Sequence, residues 1–242
     1  MGTLMLVGLA LAACGDPEEP PGPTIAPTVA ETPSEAETPD APRPSTQSPV
    51  SCDGASEDPA QLALILSEPA ETAARIRSLE ALAGAHPNSA TTRTRLGEQL
   101  LRTRPPSTRR AATWFARALS LHEEGCTLGE RDHWATLEGA ALSGMMQGEY
   151  ASAEPMLLAS LARWPRSRAT RYNLACVRCQ TGDVDGCAGE LERVLSERAE
   201  AEPAFLEGAG RTRDHYVQMA EGDPDLAPLR ADADRFSGIL TR

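Results

Sequence analysis

Residues 141–161 read ALSGMMQGEYASAEPMLLASL, and residues 175–195 read ACVRCQTGDVDGCAGELERVL. At an offset of 34, Ala141, Gly148, Ala153, Leu157 and Leu161 become Ala175, Gly182, Cys187, Leu191 and Leu195. The turn dipeptide Gly148-Glu149 likewise becomes Gly182-Asp183. Apolar residues at helical spacing on both sides of a glycine describe two helices joined by a tight turn. Recurrence of that unit at a fixed period is the mark of stacked repeats. No stretch of the chain shows the alternation of a strand, so the fold class is all-α.

The period extends outward. Leu62-Ala63 and Leu66 recur 34 residues later as Leu96-Gly97 and Leu100. Leu79, Leu82 and Ala83 return 36 residues on as Phe115, Ala118 and Leu119, with the two extra residues falling near Pro105-Pro106. A large–small pair in the first helix, a glycine turn and an alanine-led second helix together resemble the tetratricopeptide repeat. Pro87 and Pro165 stand where that family often ends a unit, and Asn88, Ser89 and Ser167 are suited to cap the next helix. The resemblance implies an α-α superhelical solenoid of about four units, 56–89, 90–125, 134–167 and 168–201, with a spacer over 126–133. Small residues at Gly97, Ala141 and Ala175 would let the paired helices approach closely. Residues 202–242, with Asp223-Pro224-Asp225-Leu226, Leu229-Arg230 and Phe236, resemble the capping segments that close such arrays.

The N-terminus carries an address. The apolar run Leu4 to Ala13 is too short for a bilayer core of about 30 Å and fits the core of a signal peptide. Its ending, Leu11-Ala12-Ala13-Cys14, resembles the lipobox of bacterial lipoproteins. That resemblance implies removal of residues 1–13 and lipidation of Cys14, hence a lipid-anchored place in the cell envelope. From Gly15 to Ser51, ten of the 37 residues are proline, and most others are polar or acidic. Such a segment cannot bury enough apolar surface to offset its chain entropy, so residues 14–55 are expected to form a disordered tether. Its reach runs from about 35 Å as a coil to about 115 Å fully extended.

Composition narrows the function. The net charge of −12 argues against nucleic acid, whose phosphates select basic surfaces. All 23 basic residues are arginine, and aromatic content is only 4%, which suits close-packed helices. Residues 90–118 carry seven arginines against one acid, Glu98. The four histidines form no H-E-x-x-H, and no nucleophile elbow or phosphate loop occurs. The expectation is therefore a binding protein, not an enzyme, with no metal, cofactor or small-molecule substrate.

The repeat family usually receives a protein or peptide on the concave side lined by first helices. Carrying that pattern over gives Thr94, Glu98, Arg102, Glu138, Leu142, Met145, Tyr172 and Asn173 as partner-binding candidates. Tyr172 could stack on a ligand and Asn173 could clamp a backbone. The alternative is that "YNLA" is ordinary repeat packing. The function expected is a membrane-anchored interaction adaptor of the envelope. The alternatives are a purely structural envelope component or a thiol-redox protein using Cys176 and Cys179.

Five cysteines lie beyond Cys14. Cys179 and Cys187 face each other across the Gly182 turn, and C-x₇-C there resembles the staple of cysteine-rich bacterial helical repeats, so a Cys179–Cys187 disulfide is expected. The pairing of Cys52, Cys126 and Cys176 stays open, with Cys52–Cys126 one option. Cys176-Val-Arg-Cys179 matches C-x-x-C, but redox motifs of that kind sit at a helix N-terminus. Here a helical turn already precedes it.

Overall fold

The computed structural model describes Cys52 and residues 59–67, 71–196, 204–205 and 211–241. The leader over 1–13, the lipidation of Cys14 and, apart from Cys52, the tether up to residue 55 lie outside the described residues.

Every regular element among the described residues is helical. Four pairs follow one another: α1 (Pro59–Ser67) with α2 (Thr72–Ala85), α3 (Ala90–Leu101) with α4 (Thr108–Glu123), α5 (Glu130–Met145) with α6 (Tyr150–Arg163), and α7 (Arg168–Gln180) with α8 (Val184–Ser196). Each helix packs on the next, and the first helices α3, α5 and α7 also touch in succession. After them come α9 (Arg213–Gly222), a 3₁₀ turn (Pro224–Leu226), α10 (Ala227–Arg230) and α11 (Ala233–Thr241). These pack on α7 and α8.

The 34-residue period is visible in individual hydrogen bonds. At the α5–α6 turn, Gly148 N–H donates to Met145 O (2.9 Å) and Glu149 N–H to Gly144 O (2.9 Å). At the α7–α8 turn, Gly182 N–H donates to Cys179 O (3.3 Å) and Asp183 N–H to Arg178 O (2.9 Å). Both turns need a left-handed residue, with φ of 77° at Gly148 and 90° at Gly182, which glycine adopts without Cβ strain. The entries repeat as well. Ser89 Oγ accepts from Thr92 N–H, and Ser167 Oγ accepts from Thr170 N–H, so both predicted serines cap their helices. The spacer expected over 126–133 is shorter than the sequence suggested. Helix α5 already begins at Glu130, where Glu130 and Asp132 suit the positive end of the helix.

Packing explains the small residues. Ala141 and Ala175 are fully buried, as expected of close helix contacts. Gly97 likewise lets α3 and α4 of its own unit approach closely, and the ring it meets reaches on to the next unit. The Phe115 ring of α4 lies against both Gly97 of α3 and Gly139 of α5, and a Cβ on Gly97 would stand 2.7 Å from it. A Cβ on Gly139 would meet the same ring more closely still. One aromatic thus wedges two successive units together. Leu79, Leu96, Leu100 and Phe115 are buried in one apolar cluster, and Leu157, Leu174, Leu191 and Leu229 in a second that runs into the C-terminal helices. Burying each such side chain contributes about 1.5–3 kcal/mol.

Two disulfides add cross-links. Cys179 is bonded to Cys187 across the α7–α8 turn, with Cα atoms 5.1 Å apart. Cys52 is bonded to Cys126, in the loop after α4, with Cα atoms 5.4 Å apart. Cys176 is a free, buried thiol.

Candidate functional site

The row of first helices holds the partner-binding candidates, and much of it is tied together by polar contacts of its own. Between α3 and α5, the hydroxyls of Thr94 and Thr136 share a 2.7 Å hydrogen bond in full burial. Glu98 is held by Arg131 of α5 at 2.7 Å and by Arg95 at 3.2 Å, while Arg95 also pairs with Asp132 at 2.7 Å. Burial raises the Asp132 carboxyl, against the lowering pull of Arg95 and Thr91. Between α5 and α7, Thr170 Oγ1 donates to Glu138 Oε1 (2.5 Å) and Asn173 Nδ2 donates to Glu138 Oε2 (3.1 Å). Trp134 Nε1 donates to Thr170 Oγ1 (3.3 Å). Thr94, Glu138 and Met145 are thus buried between helices, where the sequence reading had them lining an open groove. Glu98 and Asn173, both half-buried, act as ties between units.

On α7 the chain covers its own helix face. Tyr172, Cys176 and Gln180 stand four residues apart and so form one stripe. Against it lies the turn containing Asp223 and Asp225. Tyr172 Oη donates to Asp223 Oδ2 (2.9 Å), and the Cys176 thiol approaches the same oxygen at 3.7 Å. Tyr150 Oη donates to Asp225 Oδ1 (2.8 Å), and Gln180 Nε2 donates to the Asp225 carbonyl (2.8 Å). Leu226 is fully buried beside them, and Tyr216 of α9 lies 5.9 Å from the Tyr172 ring, centroid to centroid. Tyr172 is 2% exposed, so a partner could not stack on it while this segment is seated.

The electrostatics of this joint favour protonated donors. Burial, followed by the nearby Cys176 thiol and Asp223 carboxylate, pushes the Tyr172 phenol far up. Burial and Asp225 do the same for Tyr150, and burial and Asp223 for the Cys176 thiol. The Asp225 carboxyl is itself raised, chiefly by burial. Donor atoms of Cys176, Asp223 and Asp225 lie within 4.8 Å of one another, the one group of metal-ligand type among the described residues. Both carboxylates already accept from tyrosine hydroxyls, and a raised thiol is a poor source of thiolate. The arrangement works as a joint between α7 and the C-terminal segment. It also disfavours thiol-redox chemistry, since Cys179 is bonded to Cys187 and Cys176 is held as the thiol.

What stays open is narrower than the sequence pattern. Arg102 and Met146 are the C-caps of α3 and α5 and occupy equivalent positions in their units. Met146 is 38% exposed, Leu142 one turn earlier is half-buried, and neither belongs to a core cluster among the described residues. Arg102 has no ion-pair partner among the described residues. The sequence did not single out Gly139, and it placed Asp223 in a capping segment without its partner Tyr172. For Gly139 the only signal was smallness in a chain full of small residues, and for Asp223 it was a turn motif whose tertiary target lay 51 residues away.

No family model matches the sequence, and no curated protein is similar to it in sequence. Among solved structures, "MamA 41-end from Desulfovibrio magneticus RS-1" superposes with a TM-score of 0.50 at 16% identity. The match covers 75% of this chain and 89% of that one. The fold is a tetratricopeptide-type helical solenoid. "MamA RS-1 ArsTM double mutant" superposes at 0.48 with 16% identity, over 70% of this chain and 84% of that one.

Proposed function

We propose that this chain is a membrane-anchored interaction adaptor of the bacterial cell envelope, binding a protein or peptide along its first-helix row. Cys14 would carry the lipid, residues 14–55 would act as tether, and the solenoid would meet its partner away from the bilayer. The observation that carries the reading is the pair Leu142 of α5 and Met146, its C-cap. They stand one helical turn apart, outside every apolar cluster of the described core. Arg102, the corresponding C-cap of the preceding unit, has no ion-pair partner among the described residues. Apolar side chains left out of a core suit a partner's apolar anchor, and methionine adapts its shape to one. The segment seated on α7 supports the same reading, because an irregular stretch of chain already occupies that helix row.

Photo-crosslinking amino acids at positions 142 and 146, compared with position 158 on α6, test the proposal in the native host. A discrete adduct at 142 and 146 but not at 158 is the expected outcome. Equal or absent labelling at all three positions would reject the groove. It would favour the second reading, a brace that spaces an envelope assembly, to which the internal ties of Glu98 and Glu138 lend weight. Anchoring is tested by radiolabelled palmitate, which should enter the natural chain and not a Cys14→Ala variant.

A further inference from the structure

Beyond the first-helix row, the turn between α3 and α4 carries a cationic edge. Arg102, Arg104 and Arg109 have no ion-pair partner among the described residues, whereas Arg95, Arg131, Arg171, Arg178 and Arg193 all pair with acids. No acidic residue occurs from Gln99 to His122. Arg110, next to this cluster, reaches Glu80 through an exposed pair, the kind of contact worth little in water.

The local helix geometry adds to the positive potential. Helix α4 starts here with no acid in its first turn, and Ser107, its N-cap, makes no side-chain capping bond. Its hydroxyl lies 3.1 Å from that of Thr103 instead. The positive end of a helix favours anions, so Arg109 and Arg110 in its first turn stand against that preference. This edge borders a shallow, open depression of about 530 Å³. Residues Pro106 to Arg110 line one side of it, and Gln147 and Glu149 of the α5–α6 turn line the other. Glu149 is the single acid on it.

We propose that this edge docks an acidic segment of a protein partner, with Arg104 and Arg109 as its principal contacts. A molecule of net charge −12 repels an anionic bilayer at long range, which disfavours a lipid surface as the occupant. A narrow acidic peptide lying along this edge meets the arginines within a Debye length of about 8 Å, where the local cations dominate. Arginine forks also suit carboxylates in bidentate pairs.

The test uses the full chain and a fluorescein-labelled decaglutamate peptide, read by fluorescence anisotropy. The natural chain should bind it, more weakly as salt rises. The Arg104→Glu/Arg109→Glu variant should bind at least about tenfold more weakly. An Arg77→Glu/Arg166→Glu control, reversing two exposed arginines elsewhere, should change binding by less than about twofold. All four sites are exposed, so circular dichroism should show each variant folded. Absence of binding by the natural chain, equal weakening in both variants, or an unaffected edge variant would each overturn the proposal. So would edge-dependent co-sedimentation with phosphatidylglycerol vesicles in the absence of peptide binding. The groove reading stands or falls separately, since Leu142 and Met146 are untouched in these variants.

Discussion

The Tyr172 hydroxyl donates a 2.9 Å hydrogen bond to Asp223, 51 residues further along the chain, and this bond fastens the C-terminal segment onto the last full repeat. Removing the donor leaves a carboxylate beside a raised thiol with no compensating phenol. Tyr172→Phe should therefore lower stability by about 1.5–3 kcal/mol, the range for a hydrogen bond to a charged group. Urea unfolding measures it. An unchanged midpoint would mean that this joint does not hold the cap.

The wedge of Phe115 sets a second expectation. Gly97→Ala places a methyl 2.7 Å from the ring and should cost about 1–3 kcal/mol through overpacking. Pairing it with Phe115→Leu should recover part of that loss, because the shorter side chain vacates the contact. A double-mutant cycle showing additive effects would contradict the wedge.

The two disulfides should differ in worth because their loops differ. Replacing Cys179 and Cys187 by alanine, across a separation of 8 residues, should cost about 2–3 kcal/mol in the chain-entropy picture. Replacing Cys52 and Cys126, across a separation of 74, should cost about 4–5 kcal/mol. Thermal unfolding of the two double variants ranks them, and the reverse order would rule out loop closure as the cause.

Stability should also vary with pH in two opposed windows. His133 is lowered from 6.5, first by burial and then by His122 and Arg163, so the unfolded chain binds the proton more readily. Stability therefore falls as pH drops below 6.5 toward the folded value. Asp225 and Asp132 are raised above 3.8, so the folded chain binds protons more readily there. Their contribution grows as pH falls through the raised value and is complete below 3.8. Replacing His133 by Gln should flatten the loss just below 6.5, and Asp225→Asn should flatten the gain at lower pH. Urea midpoints on either side of 6.5 and of 3.8 read both effects.

Most of the scaffold could be read in advance, because it depends on local rules. The pairs of helices, the glycines at 148 and 182 and the serine caps at 89 and 167 each follow from chain-neighbour geometry. A period of 34 carries that geometry from unit to unit. The Cys179–Cys187 bond belongs with them, since its partners face each other across one short turn. The candidate site was legible only in part. A repeat pattern places Tyr172 and Glu138 on the first-helix row, but says nothing about what already covers or ties them there.

The amino-acid sequence alone determined the helical class, the phase of the repeats and the turns, since hydrophobic period and backbone stereochemistry act over a few residues. Tertiary structure decided which of those faces remained free. Asp223 reaching Tyr172, Glu138 bridging α5 to α7 and Phe115 filling the space at Gly97 and Gly139 are contacts between distant parts of the chain. Their formation depends on how stacked units share burial, and no local pattern encodes that.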